Sequence, residues 1–155
     1  MGNRRVVERW VQALEEDDLD AQRKLLHPDF VGRYPQSGEV IRGPENRIAI
    51  AENYPERERM RFEVHVQTIS GTDDAYVTAP AAFAWSVVHL SGSEDEFTVT
   101  GSVLYPDGVN WHAVALLVVR DGLIWRETSY YAEPFPAPEW RVQWVEIEPT
   151  PGSGT

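Results

Sequence analysis

Residues 97–131 constrain the fold more than any other part of the chain, because apolar and polar side chains alternate there over three long runs. Two short turns separate the runs, and each contains Asp-Gly, at Asp107-Gly108 and Asp121-Gly122. Glycine accepts a positive φ without steric cost, so Asp-Gly favours a tight hairpin. The pattern predicts three consecutive antiparallel strands over residues 97–105, 109–120 and 123–131. Polar side chains on one apolar sheet face are suited to line a small-molecule pocket.

Helical periodicity precedes this sheet. Asn3 can cap a first helix that runs to about residue 16, and Asp18 can cap a short second helix. Pro44 opens a third helix, because proline suits the first helical position. A short strand over residues 30–34 lies between the second and third helices. The order of helices before strands predicts an α+β fold. Three N-terminal helices are expected to pack on a strongly curved, mostly antiparallel sheet, with a pocket between the two layers.

The remaining segments complete this architecture. Residues 60–70 and 75–90 are two further strand candidates, and Pro80 marks a bulge or an edge in the second. Residues 91–96 form a solvated loop. We expect one domain over residues 1–148 and a flexible tail over residues 149–155.

A proline-rich aromatic segment follows the last predicted strand. Residues 133–138 contain three prolines and cannot join a strand ladder. The aromatic residues of segment 135–144 leave two roles open, a lid over the pocket or a clasp on a partner chain.

Composition excludes several classes of function. The net charge is −11 with only 14 basic residues, so nucleic acid and anionic membranes are repelled and are not expected as partners. The chain has no Cys, which excludes disulfides, thiol catalysis and cysteine metal sites. The first residues contain no long apolar run, which predicts no signal peptide, no membrane span and a cytoplasmic location. Six Trp, six Tyr and five Phe indicate a large core, a pocket or an interface.

The two turns also predict which side chains share a face. A two-residue loop at residues 121–122 places Glu127 opposite Leu116. A three-residue loop at residues 106–108 places Ser102 opposite His112. Because side chains alternate along a strand, one face collects the polar groups. We assign this face to the concave side of the sheet, across from the helices, with the following members: Thr98, Thr100, Ser102, Asn110, His112, Val118, Trp125, Glu127, Ser129 and Tyr131.

The opposite face is predicted to be too apolar for contact with water. It carries Val99, Val103, Trp111, Ala113, Ala115, Leu117, Val119, Ile124 and Tyr130. No other predicted element covers it, apart from segment 135–144. We therefore expect a homodimer that packs through the outer face of the sheet.

Four short segments resemble a known family. They are Leu-Leu-His-Pro-Asp-Phe-Val at 25–31, Ser-Gly-Glu-Val-Ile-Arg-Gly at 37–43, Val-Arg-Asp-Gly-Leu-Ile at 119–124 and Tyr-Tyr at 130–131. Together with the order of elements, they resemble the SnoaL-like polyketide cyclase branch of the nuclear-transport-factor-two-like superfamily over about residues 3–135. The resemblance implies the cone-shaped α+β fold. It implies no single activity, because this fold hosts isomerases, epoxide hydrolases, cyclases, dehydratases and binding proteins.

The resemblance allows those chemistries to be compared residue by residue. The ketosteroid isomerases use a Tyr on helix one and an Asp after the first strand, and the matching positions here are Trp10 and Tyr34. The epoxide hydrolases use an Arg between two Asp. The Asp on their last strand matches Ser129, and residues 96–98 (Glu-Phe-Thr) stand in place of their Arg-x-Asp. The cyclases use an acid on the sheet, which keeps Glu127 as a candidate.

Two residues are candidates for proton transfer. His112 has an unperturbed pKa near 6.5, which suits acid–base work at neutral pH, and the alternative is a hydrogen-bonded pocket histidine. Glu127 is a candidate buried acid whose pKa desolvation would raise, and the alternative is a salt bridge at the rim with Arg61 or another Arg. Four residues along the ladder correspond to roughly 13 Å, so the two cannot form a direct dyad.

The predicted substrate-binding residues surround these two candidates: Trp10, Tyr34, Tyr54, Ser102, Asn110, Trp125, Ser129 and Tyr131. Among them Tyr34, Tyr131 or Ser129 would hold a developing oxyanion, although such tyrosines are also common as amphipathic wall residues. No His-x-His or His-Glu-x-x-His pattern is present, so neither a metal nor a cofactor is predicted.

Three hypotheses for function follow. The leading one is a cofactor-independent acid–base enzyme, of isomerase, cyclase, hydratase or hydrolase type, acting on an apolar or carbonyl-bearing small molecule. The second is a binding or sensing module that uses the same pocket without turnover. The third is an interaction domain, which a pocket smaller than about 300 Å³ would favour.

Overall fold

The computed structural model describes residues 2–57, 63–71 and 95–148, and it shows an α+β fold. The helices are α1 (Asn3–Glu15), α2 (Leu19–Leu25) and α3 (Pro44–Glu52). The strands are β1 (Leu26–Tyr34), β2 (Glu39–Arg42), β3 (Glu63–Ser70), β4 (Glu96–Leu104), β5 (Asn110–Arg120) and β6 (Leu123–Ala132). A short 3-10 helix, Glu139–Trp144, follows β6. The predicted strand over residues 75–90 with Pro80, most of the loop at 91–96 and the tail at 149–155 lie outside the described residues.

The six strands form one curved sheet in the order β2-β1-β6-β5-β4-β3. Every neighbouring pair is antiparallel except β1 and β6, which are parallel. The predicted mostly antiparallel sheet is therefore confirmed. In the described part of the chain, no helix is long and apolar enough to cross a membrane.

The helices begin close to their predicted positions. Asp18 caps α2, because its Oδ1 accepts a hydrogen bond from the Ala21 amide at 2.9 Å. Asn3 is the first residue of α1 rather than its cap; Gly2 occupies the cap position without a side-chain bond. Pro44 is the first residue of α3, and Gly43 before it adopts a φ of 84°, which glycine accepts without strain.

Strand β1 begins earlier than the sequence predicts. It starts at Leu26 instead of Phe30, because Leu26 already pairs with Ile124 of the parallel neighbour β6. Strand β2 is absent from the sequence-based prediction, and it pairs with β1 around the turn at residues 35–38. Both differences arise from pairing between distant segments, which local periodicity does not report.

The core lies between the helices and the concave face of the sheet. Helix α1 contributes Val6, Val7 and Trp10, which its 3.6-residue period places on one face. They pack with buried side chains from the other helices and the sheet: Leu26, Phe30, Ile48, Phe97, Leu117, Val119 and Ile124. Each large apolar side chain buried in this way contributes roughly 1.5–3 kcal/mol to folding.

The predicted register is right for one hairpin and wrong for most of the next. Strands β4 and β5 pair Ser102 with His112, as predicted. Strands β5 and β6 pair Arg120 with Leu123, also as predicted, but a bulge then leaves Trp125 without a partner. Beyond the bulge Glu127 lies opposite Leu117 instead of Leu116.

This one-residue bulge changes which face each side chain occupies, because alternation inverts when the register slips by one. Glu127, Ser129 and Tyr131 share the concave face with one leucine and two alanines of β5, their partners in the ladder, whereas His112 belongs to the opposite, outer face. The face predicted to be uncovered and apolar is the one that packs against the helices, except for Tyr130, which the bulge moves to the outer face. The homodimer itself stays a prediction, but this argument for it is wrong.

Candidate functional site

A cavity of about 560 Å³ lies between the helices and the concave face of the sheet. Most of its wall is apolar and comes from α1, β3, β4 and β5. Its apolar members include Trp10, Leu14, Val64, Val66, Val99, Val103, Trp111, Ala113 and Ala115. The volume falls within the range of about 300–1,000 Å³ that is typical of small-molecule sites.

The polar end of the cavity is built by α3 and β6. Arg47 of α3 places its Nη2 at 3.4 Å from Oε1 of Glu127, and both side chains are at most 10% exposed. The hydroxyl of Ser129, two residues further along β6, donates to the same Oε1 at 3.1 Å. Because β6 alternates, Glu127 and Ser129 project from the same face toward α3. The result is a buried charge pair in the wall of an otherwise apolar cavity.

This charge pair is incompletely satisfied. Oε2 of Glu127 and Nε of Arg47 are buried and have no hydrogen-bond partner in the described part of the chain. Leaving a buried polar atom unpaired costs roughly 1–3 kcal/mol. Burial lowers the pKa of Arg47, but the nearby Glu127 carboxylate more than offsets this and raises the pKa overall, so the guanidinium stays charged.

Tyrosines surround the charge pair. Tyr34 at the end of β1 and Tyr131 on β6 meet edge to face, with ring centroids 5.8 Å apart. Burial raises the pKa of both phenols, and the negative charge of Glu127 raises it further. Both hydroxyls are therefore protonated at neutral pH and can donate hydrogen bonds to a ligand.

A second aromatic group lies beside them. Tyr105 contacts Tyr54 at 5.4 Å and Trp111 at 5.7 Å between ring centroids. Burial also raises the pKa of Tyr105. These rings add apolar wall with polar tips, which suits a ligand that is mostly apolar and carries few polar groups.

Two polar contacts hold further residues of the cavity wall in place. Arg57 and Asp17 form an ion pair at 2.7 Å just beyond the ends of α3 and α1. The Tyr131 amide donates to Oε1 of Gln36 at 2.7 Å, which ties the turn after β1 to β6. Asp17 and Gln36 both contribute to the cavity wall, so these contacts hold two parts of that wall in place.

The structure brings seven of the ten predicted site residues to this cavity. They are Trp10, Tyr34, Tyr54, Ser102, Glu127, Ser129 and Tyr131. Glu127 pairs with an arginine, which matches the alternative interpretation, but the pair is buried instead of at the rim and its partner is Arg47. Arg61, the other partner considered, lies outside the described residues.

Three predicted residues are not part of the cavity wall. His112 is exposed on the outer face, because β5 presents its neighbours Trp111 and Ala113 to the cavity instead. Trp125 lies at the bulge, where the guanidiniums of Arg126 and Arg120 stand 3.8 Å and 4.8 Å from its ring centroid. Asn110 begins β5 beyond the cavity. The predicted meeting of His112 with Glu127 in one hollow is therefore wrong.

Sequence reasoning misses the most important partner in the site. Arg47 is not among the predicted site residues, although it precedes the buried Ile48 and lies one turn after Pro44 at the start of α3. The usable signal is Glu127 itself, since a carboxylate buried in a strand requires a cation. Which cation it meets depends on how α3 packs across β6.

In the described residues, no group of three acids or histidines is placed to hold a metal ion.

Comparison with known proteins is consistent with this geometry. The SnoaL-like domain profile matches residues 7–127. No curated protein matches the chain. A crystal structure of an NTF-2-like protein of unknown function from Burkholderia xenovorans is 28% identical, with a TM-score of 0.65 over 95% of each chain.

Two further solved structures share the fold at lower identity. A proposed ketosteroid isomerase from Kribbella flavida is 20% identical, with a TM-score of 0.70 over 96% of this chain and 90% of that chain. An LEH-like epoxide hydrolase from M. tuberculosis is also 20% identical, with a TM-score of 0.55 over 83% of this chain and 80% of that chain. At such identities the likeness concerns the fold alone.

Proposed function

The chain belongs to the SnoaL-like domain family of the nuclear-transport-factor-two-like superfamily, and we propose that its cavity catalyses cofactor-independent acid–base chemistry. The substrate would be a mostly apolar small molecule with a carbonyl group. Isomerisation and cyclisation both begin with removal of a proton next to a carbonyl, and both fit this proposal.

The burial of Glu127 and its incomplete hydrogen bonding are the observations that support this proposal. Its side chain is 4% exposed, yet it lines a cavity large enough for a substrate. Oε1 is used by Arg47 and Ser129, while Oε2 has no hydrogen-bond partner in the described part of the chain. A buried oxygen without a hydrogen-bond partner is unfavourable for folding, and such features are often retained at functional sites. This oxygen is available to accept a proton from a substrate.

The other polar residues have supporting roles. Arg47 and Ser129 hold the Glu127 carboxylate in place through hydrogen bonds to its Oε1. When Glu127 removes a proton, negative charge develops on the substrate carbonyl oxygen. Tyr34 and Tyr131 supply protonated phenols to stabilise that charge, because their raised pKa values keep the hydroxyl hydrogens in place.

The distribution of polarity in the cavity supports a particular class of substrate. The buried charge pair, Ser129 and the two tyrosines beside them come from β1, β6 and α3, whereas most of the apolar wall comes from β3, β4, β5 and α1. A ligand would therefore place its carbonyl end near Glu127 and its hydrocarbon body near Val99 and Trp111. The cavity volume of about 560 Å³ also argues against a pure interaction domain.

Proton exchange tests the proposal even while the product is unidentified. A panel of apolar cyclic ketones and enones would be screened for stabilisation of the protein, and binders would be incubated with it in D₂O. Nuclear magnetic resonance then follows replacement of the hydrogen next to the carbonyl by deuterium. We expect exchange in the unmodified protein and a loss of about 10²-fold or more in Glu127→Gln, since a positioned base contributes that much.

The matched control is Glu63→Gln, which changes an exposed glutamate on another strand. It should leave the exchange rate unchanged. Equal exchange in Glu127→Gln and in the unmodified protein, with the ligand still bound, would contradict the assignment of Glu127 as the base.

A binding module without turnover is the second candidate, and one observation favours it. Arg47 and Ser129 both donate to Glu127, so this carboxylate already has a structural role as the counter-charge that Arg47 requires in the cavity wall. A ketone that stabilises the protein but shows no exchange above the rate in buffer would support this candidate over the enzyme.

A further inference from the structure

Three aromatic side chains in the cavity wall have no part in the proposed proton transfer. We call them the aromatic cluster: Tyr54, Tyr105 and Trp111. The ring centroid of Tyr105 lies 5.4 Å from that of Tyr54, at an interplanar angle of 35°, and 5.7 Å from that of Trp111, at 67°. The three residues come from the segment after α3, the turn after β4 and the strand β5. The cluster therefore joins the helical layer to the sheet at one position in the cavity.

The strand register separates the aromatic cluster from Glu127. Glu127 lies opposite Leu117 of β5, and Trp111 lies six residues earlier on the same strand. Six residues along a strand correspond to roughly 20 Å. Because the number is even, the side chains of Leu117 and Trp111 project from the same, concave face of the sheet. The charge pair and the aromatic cluster therefore lie at different ends of the cavity wall.

The helical layer gives a shorter separation between the same two ends. Arg47, the partner of Glu127, precedes Tyr54 by seven residues, which corresponds to about 10 Å at helical rise. The Tyr54 amide donates to the Ala51 carbonyl at 3.4 Å, so the chain still turns as a helix does when it reaches Tyr54. A ligand that reaches from Glu127 to the aromatic cluster therefore spans on the order of 10–20 Å.

Small side chains form the floor of the cavity between its two ends. Ala113 and Ala115 of β5 line it, and Gly101 of β4 lies opposite Ala113. Beside the charge pair, the floor ends at Phe97 and Leu117, which pair with each other and are both 1% exposed. At the other end it reaches the rings of the aromatic cluster. The cavity is therefore an elongated space with a charged end and an aromatic end.

We propose that the aromatic cluster is a distal subsite that holds a ring of the ligand, so that the substrate is an elongated molecule with a carbonyl group at one end and a ring at the other. The position of the carbonyl group rests on the proposed function of Glu127, whereas binding of the ring requires no turnover. Aromatic rings pair edge to face or offset, and both arrangements are open to a ligand ring beside Tyr105 and Trp111. The three cluster residues then determine which ligands are selected.

Two matched series of methyl ketones test the subsite by binding alone. In one series the alkyl chain ends in a phenyl ring, and in the other it ends in a methyl group. Isothermal titration calorimetry gives the dissociation constants as the chain is lengthened. At the length that spans the cavity, we expect the phenyl ketone to bind about tenfold more tightly or better, because the ring is buried and paired with aromatic side chains. The shortest chains should show no such preference, since their ring cannot reach the cluster.

Substitution of single cluster residues identifies the groups responsible. Tyr105→Leu and Trp111→Leu each remove one ring and keep an apolar side chain, and we expect the preference for the phenyl ketone to fall to about threefold or less. Tyr105→Phe keeps the ring and should keep the preference. The matched control is Trp140→Leu, because Trp140 is 72% exposed and belongs to the segment 133–148, which contributes nothing to the cavity wall. It should leave both dissociation constants unchanged.

A second measurement uses the unmodified protein and does not depend on the variants folding. Intermolecular nuclear Overhauser effects locate the phenyl protons of the bound ketone, and we expect them at the indole protons of Trp111. Contacts of the phenyl ring with Ser129 instead would overturn the proposal, because the ring would then lie at the charged end. The proposal is also wrong if the preference is the same in both leucine variants as in the unmodified protein. Absence of a preference at every chain length, including failure of both series to bind, would overturn it as well.

The subsite and the catalytic role of Glu127 can fail separately. A preference for phenyl ketones in a protein that exchanges no proton next to the carbonyl would support the subsite and contradict the proposed reaction. Proton exchange without a preference for phenyl ketones would contradict the subsite and leave the proposed reaction in place.

Discussion

The two faces of the sheet differ in the environment of their arginines, which are buried and ion-paired on one face and exposed on the other. On the concave side, Arg47 is buried against the sheet and is paired with Glu127. On the outer side, Arg33 and Arg42 are exposed, and no salt bridge in the described part of the chain involves them. The reason is solvation: a charge removed from water requires a counter-charge, whereas water itself stabilises an exposed guanidinium. A buried arginine therefore identifies its partner within the chain, whereas exposed arginines such as Arg33 and Arg42 need none.

The strongest test of this contrast removes one carboxylate from the cavity. Glu127→Leu leaves Arg47 buried without a counter-charge, and we expect a loss of about 3–5 kcal/mol in the free energy of unfolding. Urea denaturation measures it. The double variant Arg47→Met with Glu127→Leu should return to within about 1 kcal/mol of the unmodified protein, because no buried charge remains. Arg42→Met on the outer face serves as the control, with an expected change within about 0.5 kcal/mol.

Alkaline titration tests the burial of the tyrosines in the cavity. The pKa values of Tyr34, Tyr105 and Tyr131 are raised in the folded chain, whereas the unfolded chain ionises its tyrosines near pH 10. Above that pH the folded state retains more protons, so the free energy of unfolding should fall by up to about 1.4 kcal/mol per pH unit for each such tyrosine. Below about pH 9 the tyrosines are protonated in both the folded and the unfolded chain, so their ionisation should not change the free energy of unfolding.

Tyrosinate absorbance at about 295 nm, followed together with unfolding, measures this difference. We expect a fraction of the six tyrosines to ionise only as the protein unfolds. Full ionisation near pH 10 with the fold retained would show that the cavity tyrosines are accessible to water.

A smaller effect distinguishes the two faces at single positions. Ser129→Ala removes a buried hydrogen bond to Glu127, and we expect a loss of about 1–2 kcal/mol. His112→Ala changes an exposed side chain on the other face, and we expect a change within about 0.5 kcal/mol and no effect on ligand binding in the cavity. A larger loss for His112→Ala than for Ser129→Ala would mean that the assignment of faces is inverted.

The smallest expected effect concerns repulsion on the outer face. Arg126→Gln lowers the positive charge beside Arg33 and Arg42, and we expect a change in stability of no more than about 0.5 kcal/mol at low salt. This difference should disappear at about 1 M salt, because charges on an exposed surface are screened there. Thermal unfolding at two salt concentrations measures it, and an effect that persists at high salt would have a cause other than charge repulsion.

Much of the fold can be predicted because its signals are local. The Asp-Gly turns, the cap at Asp18 and Pro44 at the start of α3 each depend on a few neighbouring residues, and the structure contains them as predicted. Glu127 can be identified as well, because a carboxylate in an apolar strand stands out in the sequence.

The bulge at Trp125 and the partner Arg47 cannot be predicted in this way. Residues 123–128 contain no glycine or proline that would mark a bulge. The bulge places Trp125 near the guanidiniums of Arg120 and Arg126 and places Glu127 beside Arg47, so both arrangements involve a residue from another strand or helix. A shift of one residue is enough to assign His112 to the wrong face.

The amino-acid sequence by itself determined the order of the three helices and of the described strands other than β2, the positions of two tight turns and the presence of an acid among apolar strand residues. These features depend on the conformational preferences of short segments, which act before distant parts of the chain meet. Only the tertiary structure decided that Glu127 and not His112 faces the cavity, and that Arg47 neutralises it. Those outcomes depend on register and on helix packing, because the cost of burying a charge is settled only when both partners are in place.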